Sequence, residues 1–387
     1  MLPPGEDLGV NASALVIAGL ENTMRDRADL ALRDFDRVLA LDPRHVVARQ
    51  GRAAALMALR DYDGAYATTL GVLADRRGSR WWPRPGGKPS GETTTRASAL
   101  KLRHDRDQLR HLAEAGLLPA DARALETVFD EVLAEVARST TGNHVVELTP
   151  GQQHRLASGY NRVIHLDPGR RVRQALAEGW DRRATAESYA RERIAVLDGL
   201  LTVEALAALR RFCLDSTIWF DTDHARGARG YIGADAMDGL ACPLLFQIAE
   251  ELRKALPAVI GDLPLIKLWA FKYDPSLQGI DAHADAARVN VNFWITPDEA
   301  CVDPTIGGLT VYDKPVPAEW DFTAYNADPR RLLRHAQEVG AKAVQVPHRQ
   351  NRAVVFDSAL VHATQPLRFR PGYANRRINL TLLFGRR

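Results

Sequence analysis

The hydrophobic rhythm of the chain changes twice, and the changes mark three stretches. Across residues 28–75 apolar positions return every three or four residues, the period of helices that bury one face. Leu41-Asp42-Pro43 stops one helix, since proline cannot donate into a preceding turn, and residues 45–59 read as the next. Two stretches 34 positions apart agree at Asp29 and Asp63, at Ala31 and Ala65, and at Val38-Leu39-Ala40 and Val72-Leu73-Ala74.

That period resembles the tetratricopeptide repeat, a pair of antiparallel helices that stacks on its neighbours. A free-standing stack needs about three units. Residues 28–75 therefore read either as such repeats leaning on the rest of the chain or as a plain helical hairpin.

Residues 76–95, RRGSRWWPRPGGKPSGETTT, carry the Gly, Pro, Ser and Thr load of a long loop. Trp81 and Trp82 in it either line an entrance or pin the loop to the body. Helical spacing returns over residues 96–116, with Leu100, Leu109 and Leu112, and over 119–138, with Leu125, Phe129, Val132 and Val136. A short strand is expected at 143–148. The second change comes at Arg193, where Ile194-Ala195-Val196-Leu197 reads as a buried strand before a helix at 203–214. Beyond residue 265 short strands alternate with turns, at 266–273, 289–296, 308–312, 343–346, 353–356 and 377–383, the texture of a double-sheet jelly roll. The expected fold is a multidomain α+β chain. Residues 1–76 form an all-α, tetratricopeptide-like region, 77–193 a loop and helical linker, and 194–387 a double-stranded β-helix.

Composition narrows the function classes. The 387 residues are 46% hydrophobic, enough for a substantial core. A net charge of +3, with no basic stripe interleaved with aromatics, argues against a nucleic-acid partner. Cys213, Cys242 and Cys301 are odd in number and scattered, which fits neither a disulfide framework nor a zinc cluster and suggests a reducing, cytoplasmic setting. No run approaches the ~18 apolar residues of a membrane span, and no secretory signal is recognisable, so no membrane partner is expected.

Chemistry gathers in the β-rich stretch. His283-Ala284-Asp285 stands just before an alternating strand, and His362 follows RAVVFDSALV far downstream. Residues i and i+2 of an extended segment point the same way, so His283 and Asp285 can grip one ion while a distant strand supplies His362. Two imidazoles and one carboxylate form the facial triad that suits non-haem iron(II) and leaves open positions. Zinc accepts the same donors, which keeps a zinc hydrolase open at this point. Later, Arg377-Ile378-Asn379-Leu380-Thr381 alternates so that Arg377, Asn379 and Thr381 share a face. On residues 288–295, Asn290, Asn292 and Trp294 share one face, while Val289, Val291, Phe293 and Ile295 share the other.

The order His-x-Asp, distal His, then Arg ahead of a polar strand face resembles the prolyl-hydroxylase-like branch of the iron(II)/2-oxoglutarate-dependent oxygenases, over roughly residues 194–387. Gly307-Gly308-Leu309 and Phe356-Asp357-Ser358 fit the same pattern. The resemblance implies iron(II) on His283, Asp285 and His362, with 2-oxoglutarate and O2 as co-substrates. It also implies a charge-assisted fork from Arg377 to the distal carboxylate of 2-oxoglutarate. Tyr273 matches a position whose hydroxyl often touches the co-substrate, and Asn292 and Thr381 are expected beside it. The fifteen-residue interval from His362 to Arg377 is longer than usual for the family. It raises Arg376 as a rival anchor, and strand parity favours Arg377. Asn290, Trp294, Arg288 and Tyr231 are candidate substrate contacts, with Trp81 and Tyr373 as further residues that could face the free space.

Because the related halogenases carry a small residue in place of the acid, Asp285 points to hydroxylation, desaturation or cyclisation. The expected activity is that of a 2-oxoglutarate-dependent dioxygenase acting on an unactivated C–H of a small amino-acid-like or peptide-like metabolite. A protein or peptide side-chain hydroxylase that recruits its target through the helices is the alternative, and an inactive interaction scaffold stands as a reading of another class. The N-terminal helices are expected either to bind a protein partner or second copy, or only to pack on the rest of the chain.

Overall fold

The computed structural model describes residues 6–82, 95–139, 144–221, 230–274 and 279–387. Four helices open the chain: α1 (Glu6–Met24), α2 (Ala28–Leu41), α3 (Val46–Ala58) and α4 (Tyr62–Arg77), each packed on the next. Their starts are written in side chains that accept orphan N–H groups, His45 from Ala48 and Asp61 from Gly64. Phe35 of α2 fills notches in both neighbours. A Cβ on Gly19 or Gly51 would stand 2.7 or 2.3 Å from its ring, so the close helix spacing depends on those glycines.

Of the expected loop at 76–95, residues 83–94 lie outside the described residues. Trp81 donates its indole N–H to Asp121 at 2.8 Å and packs on the cluster around Leu109 and Phe129, while Trp82 packs beside Leu73 and Phe220. Both tryptophans lie on the body of the protein, and neither is part of the wall of the cavity described below.

The expected helix at 96–116 begins later than its spacing suggested. Arg96–Ser98 form β1, paired with β2 (Val145–Glu147), and Ser98 then accepts from the Lys101 N–H to start α5 (Ala99–Glu114). The next helical stretch opens as a single 3-10 turn at Ala120–Ala122 before α6 (Ala124–Ser139). Periodicity did not reveal α7 (Pro150–Leu156) or α8 (Arg182–Glu192). The latter has one buried residue, Thr185, so no apolar stripe marks it.

From β3 (Ile194–Asp198) onward the chain builds two antiparallel sheets. After β3 come α9 (Val203–Asp215), β4 (Tyr231–Asp235), α10 (Pro243–Ala255), β5 (Leu265–Tyr273), β6 (Ala287–Trp294) and β7 (Leu309–Pro315). Then follow α11 (Phe322–Asn326), α12 (Pro329–Glu338), β8 (Ala343–Val346), β9 (Arg352–Asp357), β10 (Leu360–Thr364) and β11 (Ile378–Arg386). The larger sheet runs β3-β9-β6-β11-β5-β4 and the smaller β10-β7-β8. Trp294, Val354 and Phe356 from the first pack against Leu309, Val311, Val346 and Leu360 of the second, so the sheets face each other. This layering is consistent with the jelly-roll expectation.

The outer face of the larger sheet is covered by helices. Val289, Val291, Phe293, Leu268, Ala270, Leu380 and Leu382 share one core with α9 and α10, and with Leu56, Tyr62 and Leu100 of α3, α4 and α5. Tyr62 stacks on Phe246 of α10 at 4.8 Å between ring centroids. Alternation along β6 and β11 therefore sorts apolar residues to the helices and polar ones to the space between the sheets. Among the described residues, no helix is long and apolar enough to cross a membrane.

Candidate active site

His283 and His362 exchange both backbone hydrogen bonds, 3.0 and 2.8 Å, in an antiparallel bridge that ties His283 to β10. Opposed residues of such a pair project to the same side, and the two rings lie 4.2 Å apart. Asp285, two positions on, donates its N–H to the Ser358 carbonyl at 2.8 Å and sets a carboxylate oxygen 3.5 Å from His362 Nε2. The ligand atoms of all three residues fall within 4.8 Å of one another, among the described residues the one grouping of three such side chains.

Surroundings prepare these donors for a cation. His283 Nδ1 lies 2.8 Å from the Asp281 carbonyl and His362 Nδ1 3.0 Å from that of Leu360. A carbonyl accepts only from N–H, so Nδ1 of each ring is the donor here and Nε2 is the nitrogen turned toward the cluster. Burial, aided by His283, holds His362 down to about 4, which keeps it neutral as a metal ligand must be. Asn290 donates to the Asp285 carboxylate at 2.7 Å. From α11, Asn326 holds the Ala284 peptide at both ends, accepting from its N–H at 3.0 Å and donating to its carbonyl at 2.9 Å. That clamp fixes the residue between two of the three donors.

A cavity of about 340 Å³ opens on this cluster. Tyr231, Tyr273, Asn290, Asn292, Asn379 and Thr381 line it, all singled out in the sequence, together with His283, Asp285 and His362. Asn292 donates to Thr381 Oγ1 at 2.9 Å across the β6–β11 pair. Tyr273 approaches Thr364 Oγ1 at 3.4 Å, and burial pushes its phenol up.

Arg377 lies behind this wall, 1% exposed, with its guanidinium 4.7 Å from the Tyr273 ring and 5.5 Å from that of Trp294. It donates to Asn379 Oδ1 at 3.1 Å and to the Gly308 carbonyl at 3.3 Å, while its Nε has no partner. Among the described residues no carboxylate pairs with it, an expensive state for a buried cation, and burial lowers its pKa. Arg376 faces the opposite layer, bonded to Asp107 of α5 at 3.1 Å. An unsatisfied buried guanidinium beside a cavity suits the carboxylate of a small acid.

Three expectations about facing residues are corrected. Arg288 shares the parity of Asn290 but stands exposed at the start of β6, donating to the Arg386 carbonyl at 3.1 Å. Trp294 is fully buried in the core between the sheets and, like Arg288, is not part of the cavity wall. Tyr373 lies on the helical side, donating to the Leu214 carbonyl and accepting from Lys272. Conversely, Asp221, Trp269, Phe271, Asp281, Phe322 and Asn326 line the cavity without having been singled out. For Trp269 and Phe271 a signal existed, since they share the parity of Tyr273 on β5.

No protein-family model matches the sequence, and no curated protein does. Among solved structures, the non-heme alpha ketoglutarate dependent epimerase SnoN from nogalamycin biosynthesis is similar over 53% of this chain and 83% of its own, at 15% identity and a TM-score of 0.38. A Pseudomonas putida prolyl-4-hydroxylase is similar over 56% of this chain and 97% of its own, at 16% identity and a TM-score of 0.33. HygX from Streptomyces hygroscopicus, solved with nickel and 2-oxoglutarate, covers 53% and 87%, at 12% identity and a TM-score of 0.38. With identities and scores this low, these likenesses carry no functional argument, and the side chains must supply it.

Proposed function

We propose that this protein is an iron(II)- and 2-oxoglutarate-dependent oxygenase that oxidises an unactivated C–H bond of a small amino-acid-like or peptide-like molecule. The observation that carries the reading is the pairing of a His283–Asp285–His362 donor set with Arg377, a buried cation lacking an acid partner on the same side of the sheet. A zinc hydrolase would use the three donors but leave Arg377 without a purpose.

The donor set fits the metal. Two imidazoles and a carboxylate, each oriented by a backbone carbonyl or by Asn290, suit a divalent iron that keeps open positions. When bound, iron(II) with 2-oxoglutarate and O2 supplies the oxidising power to take a hydrogen atom from an unactivated carbon. In this division of labour His283, Asp285 and His362 hold the ion. Arg377 neutralises the far carboxylate of the co-substrate, and Tyr273, Asn292 and Thr381 order the space between. With iron bound, the Asp285 carboxylate would be one of its three protein ligands, and a ligating acid there favours hydroxylation, desaturation or ring closure over halide transfer. The N-terminal helices, tetratricopeptide-like in their period, serve in this proposal as a brace for the catalytic sheet.

Anaerobic addition of iron(II) and 2-oxoglutarate tests the proposal through the weak visible charge-transfer band of the chelate. The band is expected with the native chain and lost in His283→Ala and Asp285→Ala. Its absence from the native chain, with no succinate formed in air, would overturn the reading.

A further inference from the structure

The geometry points to a substrate that presents an aryl group, taken between the aromatic wall of β4 and β5 and Phe322 of α11. This names a substrate class for the proposed oxygenase and rests on that reading only for what the metal does.

Parity on β5 builds the wall. Trp269, Phe271 and Tyr273 alternate onto the face turned away from the helices, while Leu268 and Ala270 join the core with α9 and α10. Tyr231 extends the row from β4, where it is the register partner of Tyr273. All four rings line the cavity. Tyr231 meets Phe271 edge-on, with centroids 5.1 Å apart and planes at 85°, and Trp269 is tilted against Phe271 at 6.2 Å and 52°. Such a wall offers ring faces and ring edges together. An aryl ring gains from both beyond what its burial provides, and a saturated ring gains from burial alone. Trp269 and Phe271 are only half-buried, although the residues between them on the outer face, Leu268, Ala270 and Lys272, are fully buried. The inner side of the strand thus keeps apolar area for a ligand to cover.

A second surface comes from the β7–β8 connection. Phe322 opens α11, lines the same cavity and is 42% exposed. A single exposed apolar residue is ordinary on a protein surface. One that shares a cavity with a half-open aromatic wall is placed to close over the same ligand. Its position is also fixed, because Asn326 lies four residues on and so on the same side of the helix. The two bonds from Asn326 to the Ala284 peptide, 3.0 and 2.9 Å, tie α11 to the segment that carries His283 and Asp285. Pro329, the first residue of α12, adds a rigid apolar neighbour to the lining. An aryl group held there would lie beside the metal donors and cover both open surfaces.

The test is calorimetric titration of the full chain with 2-phenylethanol and 2-cyclohexylethanol, neutral alcohols with the same carbon skeleton that differ in the aromaticity of the ring. Each is measured on the metal-free chain and again under nitrogen with iron(II) and 2-oxoglutarate. A cavity that selected by burial alone would favour the saturated ring, the more hydrophobic of the two. The aromatic alcohol should instead bind ~5-fold more tightly in at least one of the two states, as ring pairing provides. Phe322→Leu and Trp269→Leu keep apolar bulk and remove a ring. Each should weaken the aromatic alcohol by ~5-fold and change the saturated one by less than ~2-fold. Failure of the aromatic alcohol to bind in either state, equal or tighter binding of the saturated one, or a preference untouched by either substitution overturns the inference. Because the visible band is read separately, a ring preference without the band would refute the oxygenase reading and spare this one, and the band without the preference would do the reverse.

Discussion

Replacing Arg377 by Met removes the guanidinium while keeping a long apolar side chain between Tyr273 and Trp294. In the native protein that cation donates to Asn379 Oδ1 at 3.1 Å and to the Gly308 carbonyl at 3.3 Å, and among the described residues no carboxylate pairs with it. Truncating one partner of a buried, hydrogen-bonded charge pair costs roughly 3 kcal/mol, a factor of about 150 in affinity for the carboxylate it meets. At a 2-oxoglutarate concentration ~100 times the native Kd, binding stabilises the fold by about 2.7 kcal/mol. The same concentration lies below the weakened Kd, leaving under ~0.4 kcal/mol. Thermal unfolding with manganese(II) in place of iron, with and without 2-oxoglutarate, reads the difference. Native protein should show a co-substrate-dependent rise in Tm, and Arg377→Met almost none. Arg376→Met removes an ion pair with Asp107 and should lower the starting Tm yet retain the rise. If Arg376→Met lost the rise and Arg377→Met kept it, the assignment of the two arginines to opposite layers would be refuted.

Other perturbations test separate parts of the site. Asn290→Leu removes the donor at 2.7 Å from Asp285 and should weaken metal binding by ~10- to 100-fold in an equilibrium metal titration, with the fold intact by circular dichroism. Gly308→Ala would place a Cβ 1.9 Å from the Val346 carbonyl oxygen and 2.9 Å from the His348 nitrogen, both backbone atoms. It should lower Tm and also weaken 2-oxoglutarate, because the Gly308 carbonyl accepts from Arg377. Burial, aided by Arg377, holds His348 down to about 3, so between about 6.5 and 3 the unfolded chain binds a proton that the folded chain does not. Its contribution to stability is complete above about 6.5 and falls as pH drops through that window. Urea midpoints from pH 7 to 4 should decline, and less steeply in His348→Gln.

What the sequence made legible follows from where side-chain parity has physical force. β6 is covered on both faces, so Val289, Val291 and Phe293 could be separated from Asn290 and Asn292 by alternation alone, and β11 likewise separates Leu380 from Thr381. Parity assigns a face and not a depth along the strand. Arg288 shares a face with Asn290 yet reaches solvent at the strand entrance, and Trp294 shares it yet is roofed by Leu309 and Val311. The part of the cavity formed by Asp221, Phe322 and Asn326 was illegible for another reason. Asp221 enters the cavity through a two-residue bridge rather than a strand, and α11, which brings Phe322 and Asn326, is five residues long and leaves no periodic trace. Ser98 shows the same limit at the other end of the chain, since a cap followed by helical spacing does not reveal that the residues before it pair as a strand.

The single core running from α3, α4 and α5 through α9 and α10 to the larger sheet bears on how such a protein can be dissected. A chain cut before Ile194 would retain every metal donor and Arg377, yet Leu56, Tyr62 and Leu100 would be gone from the core that backs β5 and β11. Asp107 would vanish from beside Arg376, and Gln108 would no longer donate to the Leu214 and Ser216 carbonyls at 3.1 and 2.8 Å. β5 and β11 would keep their inner faces and lose the splint behind their outer ones. Any graft of this site into another scaffold has to carry that splint along, or replace it with an equally deep apolar backing.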